Sequence, residues 1–418
     1  MRFLNGTMLI NHDGYFLYNN QLDNRLYISR DLANVLNYLF DEEGNLKYLY
    51  KFFHKTRQII NTLDRYGFLT ENENIDDYKI HIFNYDNKLP LTSFNIELTD
   101  ICNLKCRHCY GSFGLCKEEN NKINYDSLRS IIDELFKLNC FNITLTGGEC
   151  TIHPEFELIM TYLLKCGFNV GVMTNGLEYK KLIKYLDTIK NYKFTVKVSL
   201  DGLEDTHNII RGDYNSYSNA INLIDNIYER ENVRLYISTT LMKSNFSEIN
   251  QLASFIHNRY PNCIYSTDIV MPSGQANQNN ETFSVEDLLE IKKIYPDFFT
   301  NTQTSENTKH YRCSGGINQA TLLPDGRLKI CNCACDERFY FDGNVFDMGL
   351  EYLWKNPGEN IIKYRNEKSK DRSECLNCNK REFCRTDCRV TSFLYTGNEN
   401  LCSPITYIGA VGNNENSL

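Results

Sequence analysis

The chain reads as an α/β protein with a partial (β/α)6 TIM-type barrel at its centre, an N-terminal winged-helix domain before it and a cysteine-rich domain after it. Three observations carry this reading. Between Thr92 and Ser273, short β-branched runs alternate with amphipathic helical stretches six times. Before them, two β-like runs, a third, three helical stretches and a short returning strand follow one another. After about residue 280 the apolar content thins while the cysteines crowd together. Repeated β-then-α order indicates a parallel sheet covered by helices, and six units suit a partial barrel better than a complete eightfold one. The expected domains are therefore 1–90, 91–280 and 281–418.

Taking the elements in order, His12-Asp13-Gly14 is a turn between the first two strands, and Arg25 to Ile28 is the third. Ser29 is placed to cap a helix whose Leu32, Val35, Leu36 and Leu39 fall at helical spacing. Lys47 to Phe53 and Arg57 to Arg65 continue in that period, Gly67 ends it, and Phe68-Leu69-Thr70 is the returning strand. An Asn- and Asp-rich linker, Glu71 to Lys88, leads to Pro90. The barrel strands are expected at Ser93–Leu98, Asn142–Thr146, Asn169–Thr174, Thr195–Leu200, Arg234–Thr240 and Cys263–Val270. Between them, helices are expected at Tyr125–Leu138, Pro154–Cys166, Leu177–Lys190, Tyr217–Glu229 and Ser247–Arg259. The C-terminal region is thin in apolar residues for its length, a composition that usually needs metal staples.

The net charge of −8 over 418 residues argues against a nucleic-acid binder working through broad electrostatics. Met1 to Asp13 lacks the basic start and apolar run of a secretory signal, and no apolar stretch is long enough to span a bilayer. A cytoplasmic protein is expected, and there 17 cysteines point to metal or redox chemistry rather than disulfides. Cys140, Cys166 and Cys263, scattered among apolar neighbours, read as packing residues.

Cys102, Cys106 and Cys109 follow the first barrel strand with the spacing C-x3-C-x2-C. Three thiolates on one short loop can ligate three irons of a [4Fe–4S] cube and leave the fourth open to substrate. Zinc is the competing reading, since His108 lies inside the motif. The second strand ends in Gly147-Gly148-Glu149, where paired glycines let backbone approach a ligand and a carboxylate offers an acceptor to an ammonium group. The third ends in Thr174-Asn175-Gly176 and the fourth in Ser199-Leu200-Asp201-Gly202, with His207 and Arg211-Gly212 shortly after. Polar groups thus face one mouth from several strand ends.

In this order and on these elements, the motifs of residues 92–273 resemble the radical S-adenosylmethionine (radical SAM) superfamily. The resemblance implies that Cys102, Cys106 and Cys109 hold a catalytic [4Fe–4S] cluster and that Gly147, Gly148 and Glu149 bind the methionine amino group of SAM. It places Ser199 and Arg211 on the carboxylate, Asn175 or Asp201 on the ribose, and His108 beside the adenine. Reductive cleavage of SAM would then release a 5′-deoxyadenosyl radical that abstracts hydrogen. Cys150 stands where many relatives carry Pro, and reads as a packing change.

Cys313 and Cys331 flank a Leu-Pro-Asp-Gly turn, and Cys375, Cys378, Cys384, Cys388 and Cys402 follow. This order resembles the SPASM extension of radical SAM enzymes. By that resemblance Cys375, Cys378, Cys384 and Cys402 bind one auxiliary [4Fe–4S] cluster, and Cys313, Cys331 and Cys388 another. Whether the latter is closed depends on Cys333 or Cys335. Two zinc ribbons in a binding module are the competing reading. The N-terminal unit resembles the RiPP recognition element, which grips a leader peptide, usually by strand addition. Together these imply a maturase of a ribosomally made precursor peptide that forms Cys sulfur-to-carbon thioether cross-links, as sactipeptide and ranthipeptide synthases do. A low-potential flavodoxin or ferredoxin is the expected reductant, and neither nucleic acid nor membrane is an expected partner. The alternatives are a carbon–carbon cross-linker or epimerase, a sulfatase-type maturase, against which Asn332 after Cys331 weighs, and a noncatalytic leader-binding or electron-transfer partner.

Overall fold

A computed structural model of the chain describes residues 91–115, 122–138, 140–294, 313–366 and 388–405. Ahead of them it describes segments 2–3, 7–11, 15–19, 24–28, 54–65, 69–70 and 81–84 with residues 32 and 36. The N-terminal strands are β1 (Arg2–Phe3), β2 (Thr7–Asn11), β3 (Tyr15–Asn19) and β4 (Asn24–Ile28), followed by α1 (His54–Arg65), β5 (Leu69–Thr70) and β6 (His81–Asn84). β2, β3 and β4 form an antiparallel meander, and β5 returns to pair with β1, while the expected turn His12-Asp13-Gly14 lies outside the described residues. The Asn/Asp-rich stretch is not merely a linker, because β6 lies within it and pairs parallel with β2. Its short His-Ile-Phe run is enough to complete the edge of a four-stranded sheet. Of the helices expected over 29–53, only residues 32 and 36 are described, both helical.

The barrel comprises β7 (Ser93–Glu97), α2 (Tyr125–Lys137), β8 (Asn142–Thr146), α3 (Phe156–Lys165), β9 (Asn169–Thr174), α4 (Tyr179–Leu186), β10 (Phe194–Ser199), α5 (Glu204–Arg211), α6 (Ser216–Tyr228), β11 (Val233–Leu241), α7 (Ile249–Arg259) and β12 (Ile264–Ile269). Helices α8 (Gln275–Gln278) and α9 (Val285–Ile294) follow. All six strands run parallel in sequence order. Along β10, Phe194, Val196 and Val198 are buried against the helical layer, while Thr195, Lys197 and Ser199 alternate with them and are half-buried. α2 starts where Asn124 accepts the Ser127 N–H at 2.8 Å and buries Leu128, Ile131, Ile132 and Leu135 on one stripe.

The sheet does not stop at β7. β13 (Gln319–Leu322) pairs parallel with β7, and the hairpin strands β14 (Arg327–Lys329) and β15 (Tyr340–Asn344) extend the sheet antiparallel. Helices α10 (Val345–Met348), α11 (Leu350–Lys355), α12 (Glu359–Asn366) and α13 (Arg389–Thr396) complete the described part. The cysteine-bearing hairpin is thus continuous with the barrel, through a nine-stranded sheet. Among the described residues no helix is long and apolar enough to cross a membrane.

Candidate active site

The loop after β7 carries Cys102, Cys106 and Cys109 and is held from three sides. The Gly148 N–H donates to the Thr99 carbonyl at 2.8 Å and the Glu149 N–H to that of Ile101 at 2.9 Å. A Cβ on Gly147, where φ is +126°, would strike the Thr99 carbonyl, and one on Gly148 would strike that of Ile101. The close approach for which the sequence offers paired glycines is therefore to the cysteine loop's own backbone. From the second side, Arg107 N–H bonds the Ile210 carbonyl at 2.9 Å and its guanidinium meets Glu281 at 2.6 Å. From the third, Gln275 N–H donates to the Cys109 carbonyl at 3.0 Å.

Burial raises all three thiols, Cys102 to about 12; Cys106 and Cys109 raise Cys102 further, and Cys109 raises Cys106. N–H donors answer the sulfurs: Leu104 N–H to Cys102 at 3.5 Å and Arg211 Nη1 to Cys106 at 3.7 Å, with backbone donors from Gly111 to Phe113 for Cys109. Among the described residues no three Cys, His, Asp or Glu side chains are gathered as ligands of one ion would be. A [4Fe–4S] cube asks for one thiolate at each of three corners instead, and N–H donors to sulfur are a means by which a protein tunes it.

Arg211 ends α5 and is buried. Its Nη2 lies 2.6 Å from Asp201 Oδ2, charge against charge rather than as a well-directed hydrogen bond. Asp201 is wholly buried: Oδ1 accepts the Thr240 N–H at 2.9 Å, its carbonyl accepts Asn245 Nδ2 at 2.7 Å, and its N–H donates to His207 Nδ1 at 2.9 Å. Asp201, expected with Asn175 as a candidate for the ribose, meets Arg211 and the barrel wall. Burial alone would raise its carboxyl, but Arg211 and the histidines hold it below the usual range. Burial opposes the charge on Arg211, and Asp201 and Cys106 more than restore it. His108, lowered to about 4 chiefly by burial, sets Nε2 3.7 Å from the same Asp201 oxygen.

Glu149, also buried, accepts Thr151 Oγ1 at 2.7 Å, Thr174 Oγ1 at 2.8 Å and Thr151 N–H at 3.2 Å on one oxygen, and Asn175 N–H at 2.8 Å on the other. Asn175 in turn donates to Asn103 Oδ1 at 2.8 Å. Ser199 closes β10 beside Ser238 of β11. The expected residues therefore gather at one mouth. Cys150 lies in the core, its thiol on the Met173 carbonyl at 3.3 Å. Three buried polar atoms around the cysteine loop have no hydrogen-bond partner among the described residues: Arg211 Nε, His108 Nδ1 and Asn103 Nδ2. The open donors of Arg211 and Asn103 beside three thiols fit an anionic, polar ligand lying against a cluster.

A unit that sequence reasoning missed joins this loop to the C-terminal hairpin. Glu97, inward on β7, meets Lys329 of β14 at 2.9 Å with both side chains buried, and accepts Tyr110 OH at 3.1 Å on the same oxygen. Lys329 also donates to the Asn332 carbonyl at 3.0 Å. The alternation of Ser93, Asn95 and Glu97 with Phe94 and Ile96, which puts an acid on one polar face of the strand, was the available signal. Beyond it, Cys313 donates to the Cys388 sulfur, which lowers Cys388 and raises itself, and Cys331 lies beside both. Cys402 is described. Cys375, Cys378 and Cys384 lie outside the described residues.

Residues 96–256 match the Radical SAM superfamily. Over those residues the chain carries a Radical SAM domain, and enzymes of that superfamily use SAM and a [4Fe–4S] cluster. Among individual relatives it is 26% identical over 283 residues to the antilisterial bacteriocin subtilosin biosynthesis protein AlbA of Bacillus subtilis, across 64% of this chain and 60% of AlbA. It is 28% identical over 185 residues to the sporulation killing factor maturation protein SkfB of the same organism, across 43% of each. The chain thus spans less than two thirds of either relative. In fold it is similar to Streptococcus suis SuiB, solved bound to its precursor peptide SuiA, with TM-score 0.65, 16% identity and coverage of 96% of this chain and 99% of that one.

Proposed function

We propose that this chain is a radical SAM maturase that installs Cys sulfur-to-carbon thioether cross-links in a ribosomally made precursor peptide. The observation that carries the reading is the continuous sheet. It sets the hairpin bearing Cys331, Cys333 and Cys335 against the Cys102–Cys109 loop, with Glu97, Lys329 and Tyr110 between them. Likeness to AlbA, SkfB and SuiB supports a peptide substrate.

Bound at the barrel mouth, SAM and its cluster supply the one-electron chemistry and the hydrogen-abstracting radical. The chain's own residues hold and orient. Arg211, with Nε free of hydrogen bonds, and Ser199 take the SAM carboxylate. Gly148 and Glu149 fix the cysteine loop, and Glu149 keeps part of one oxygen for the amino group. Asn175 takes the ribose and His108 flanks the adenine. Cys313, Cys331 and Cys388 would hold one auxiliary cluster, and Cys375, Cys378, Cys384 and Cys402 a second, and these would supply an acceptor for the second electron. Residues 1–90 grip the leader, 91–280 generate the radical and 281–418 form the SPASM domain. Binding the leader raises the effective concentration of the core peptide at the mouth. A flavodoxin or ferredoxin delivers the electron.

Incubation of the reduced holoenzyme with SAM and a cysteine-containing precursor peptide tests this by mass spectrometry. Loss of two hydrogens with a blocked thiol is expected. The same loss with a free thiol would mean a carbon–carbon link, and colourless, zinc-loaded protein that releases no 5′-deoxyadenosine would overturn the enzyme reading. A chain beginning at Pro90, which lacks the whole N-terminal sheet, is expected to cleave SAM while losing peptide modification.

A further inference from the structure

The segment Cys331-Asn332-Cys333-Ala334-Cys335 holds two thiols beyond the one at the end of the hairpin, and they occupy different surroundings. Asn332 is pinned towards β13, where its Oδ1 accepts Thr321 Oγ1 at 2.9 Å and its carbonyl accepts Lys329 Nζ. The two cysteines that flank it lie beside Cys388, which caps the N-terminus of α13. Cys333 is half-buried, and its thiol neighbours include Cys331 and Cys388. The N–H groups of Cys333 and Ala334 are turned onto the Cys331 sulfur, and those of Val390 and Thr391 onto the Cys388 sulfur. Cys313 completes the group through its contact with Cys388, and Gly315 keeps the space beside Cys313 and Cys331 open. Cys335 is exposed, its sulfur 3.5 Å from the Cys333 carbonyl and 3.9 Å from that of Tyr110 on the Cys102–Cys109 loop side, with Ser273, Lys329 and Glu97 as its further neighbours.

We propose that Cys333 is the fourth thiolate of the auxiliary centre formed with Cys313, Cys331 and Cys388, so that this centre is closed, and that Cys335 stands outside it as an accessible thiol. The proposal rests on the reading that these cysteines hold an auxiliary cluster. Four thiolates, one for each iron, complete a [4Fe–4S] cube and leave no iron free to bind a substrate sulfur. The centre then serves as an electron acceptor only, and the substrate thiol is oriented by protein groups at the mouth.

The test uses anaerobically reconstituted holoenzyme with SAM present, so that the open iron of the SAM cluster is occupied. Iron content and the EPR spectrum of the reduced auxiliary cluster are read with and without added 2-mercaptoethanol. Cys313→Ala is expected to lose about four irons per chain. Cys333→Ala is expected either to lose this cluster or to keep it with a spectrum that now shifts on adding thiol. Cys333→Ser, with an oxygen ligand in its place, should keep the iron with an altered spectrum. Cys335→Ala should match the wild type in both measurements, and iodoacetamide should label Cys335 but not Cys333 until iron is removed. A Cys333→Ala protein with wild-type iron and spectrum, or a wild-type auxiliary spectrum that already shifts with thiol, would overturn the proposal. Should Cys313→Ala also leave iron and spectrum unchanged, the auxiliary centre itself would fall.

Discussion

At the scale of single residues, the Arg211–Asp201 pair is the most exacting feature of the mouth. Both side chains are buried, so removing one leaves the other's charge uncompensated, a loss of about 3–5 kcal/mol for a pair of this kind. Arg211→Gln is expected to lower the urea midpoint of the chain accordingly and to abolish 5′-deoxyadenosine release. Arg211→Lys keeps the charge but cannot span Asp201 and Cys106 with one planar fork, so it should recover stability better than activity. The Asp-Gly after the fourth strand was legible as a polar strand end. That Asp201 faces an arginine ten residues later was not, because nothing in the sequence showed that the segment between them folds back. Glu149 offers a second test: Glu149→Gln presents an amide to donors that now meet a carboxylate. A cost of about 1–3 kcal/mol is expected, measured by the same denaturation.

At the scale of elements, most boundaries were legible. β8 and β9 span the expected residues and the other barrel strands agree to within one residue at either end. Their β-branched alternation is dictated by a sheet with one face under helices. No helix is expected over α5 from the sequence, although Glu204 and Asp205 in its first turn and Gly212 at φ +72° after its last are helix signals. The pairing of β13 with β7 was not legible, since parallel neighbours far apart in sequence leave no local mark. Two predictions belong here. Gly148→Ala should drive the β8 turn away from the Ile101 carbonyl, giving protein with less cluster iron and a weaker brown absorbance. Lys329→Met should cost about 3–5 kcal/mol by stranding Glu97, and adding Glu97→Gln should restore most of it, a coupling readable in a double-mutant cycle.

At the scale of the whole molecule, His207 links stability to acidity. Burial, and then the charge of Arg211, lower it to about 3 from an ordinary value of 6.5. Above pH 6.5 it is neutral in both folded and unfolded chains. Below that pH the unfolded chain takes up a proton that the folded one refuses, so stability falls from about pH 6.5 down to about pH 3. A lower urea midpoint at pH 5 than at pH 7 is the expected result, and an equal midpoint would contradict it. The parallel barrel was legible from its β-then-α alternation, and the region after it stood out by its cysteines. The seam between the two was not, because a shared sheet erases the boundary that a change in composition suggests.

That seam also bears on how the protein is made. β7 lies 226 residues ahead of its partner in β13, so the strand that launches the cysteine loop leaves the ribosome long before its neighbour is synthesised. Until then β7 has an unpaired edge, Glu97 has no lysine, and the Tyr110 ring lacks the Lys329 ammonium that lies over it. Iron should therefore enter the Cys102–Cys109 loop after translation has passed Lys329, and a ribosome-bound chain stalled before that point should take up no stable cluster.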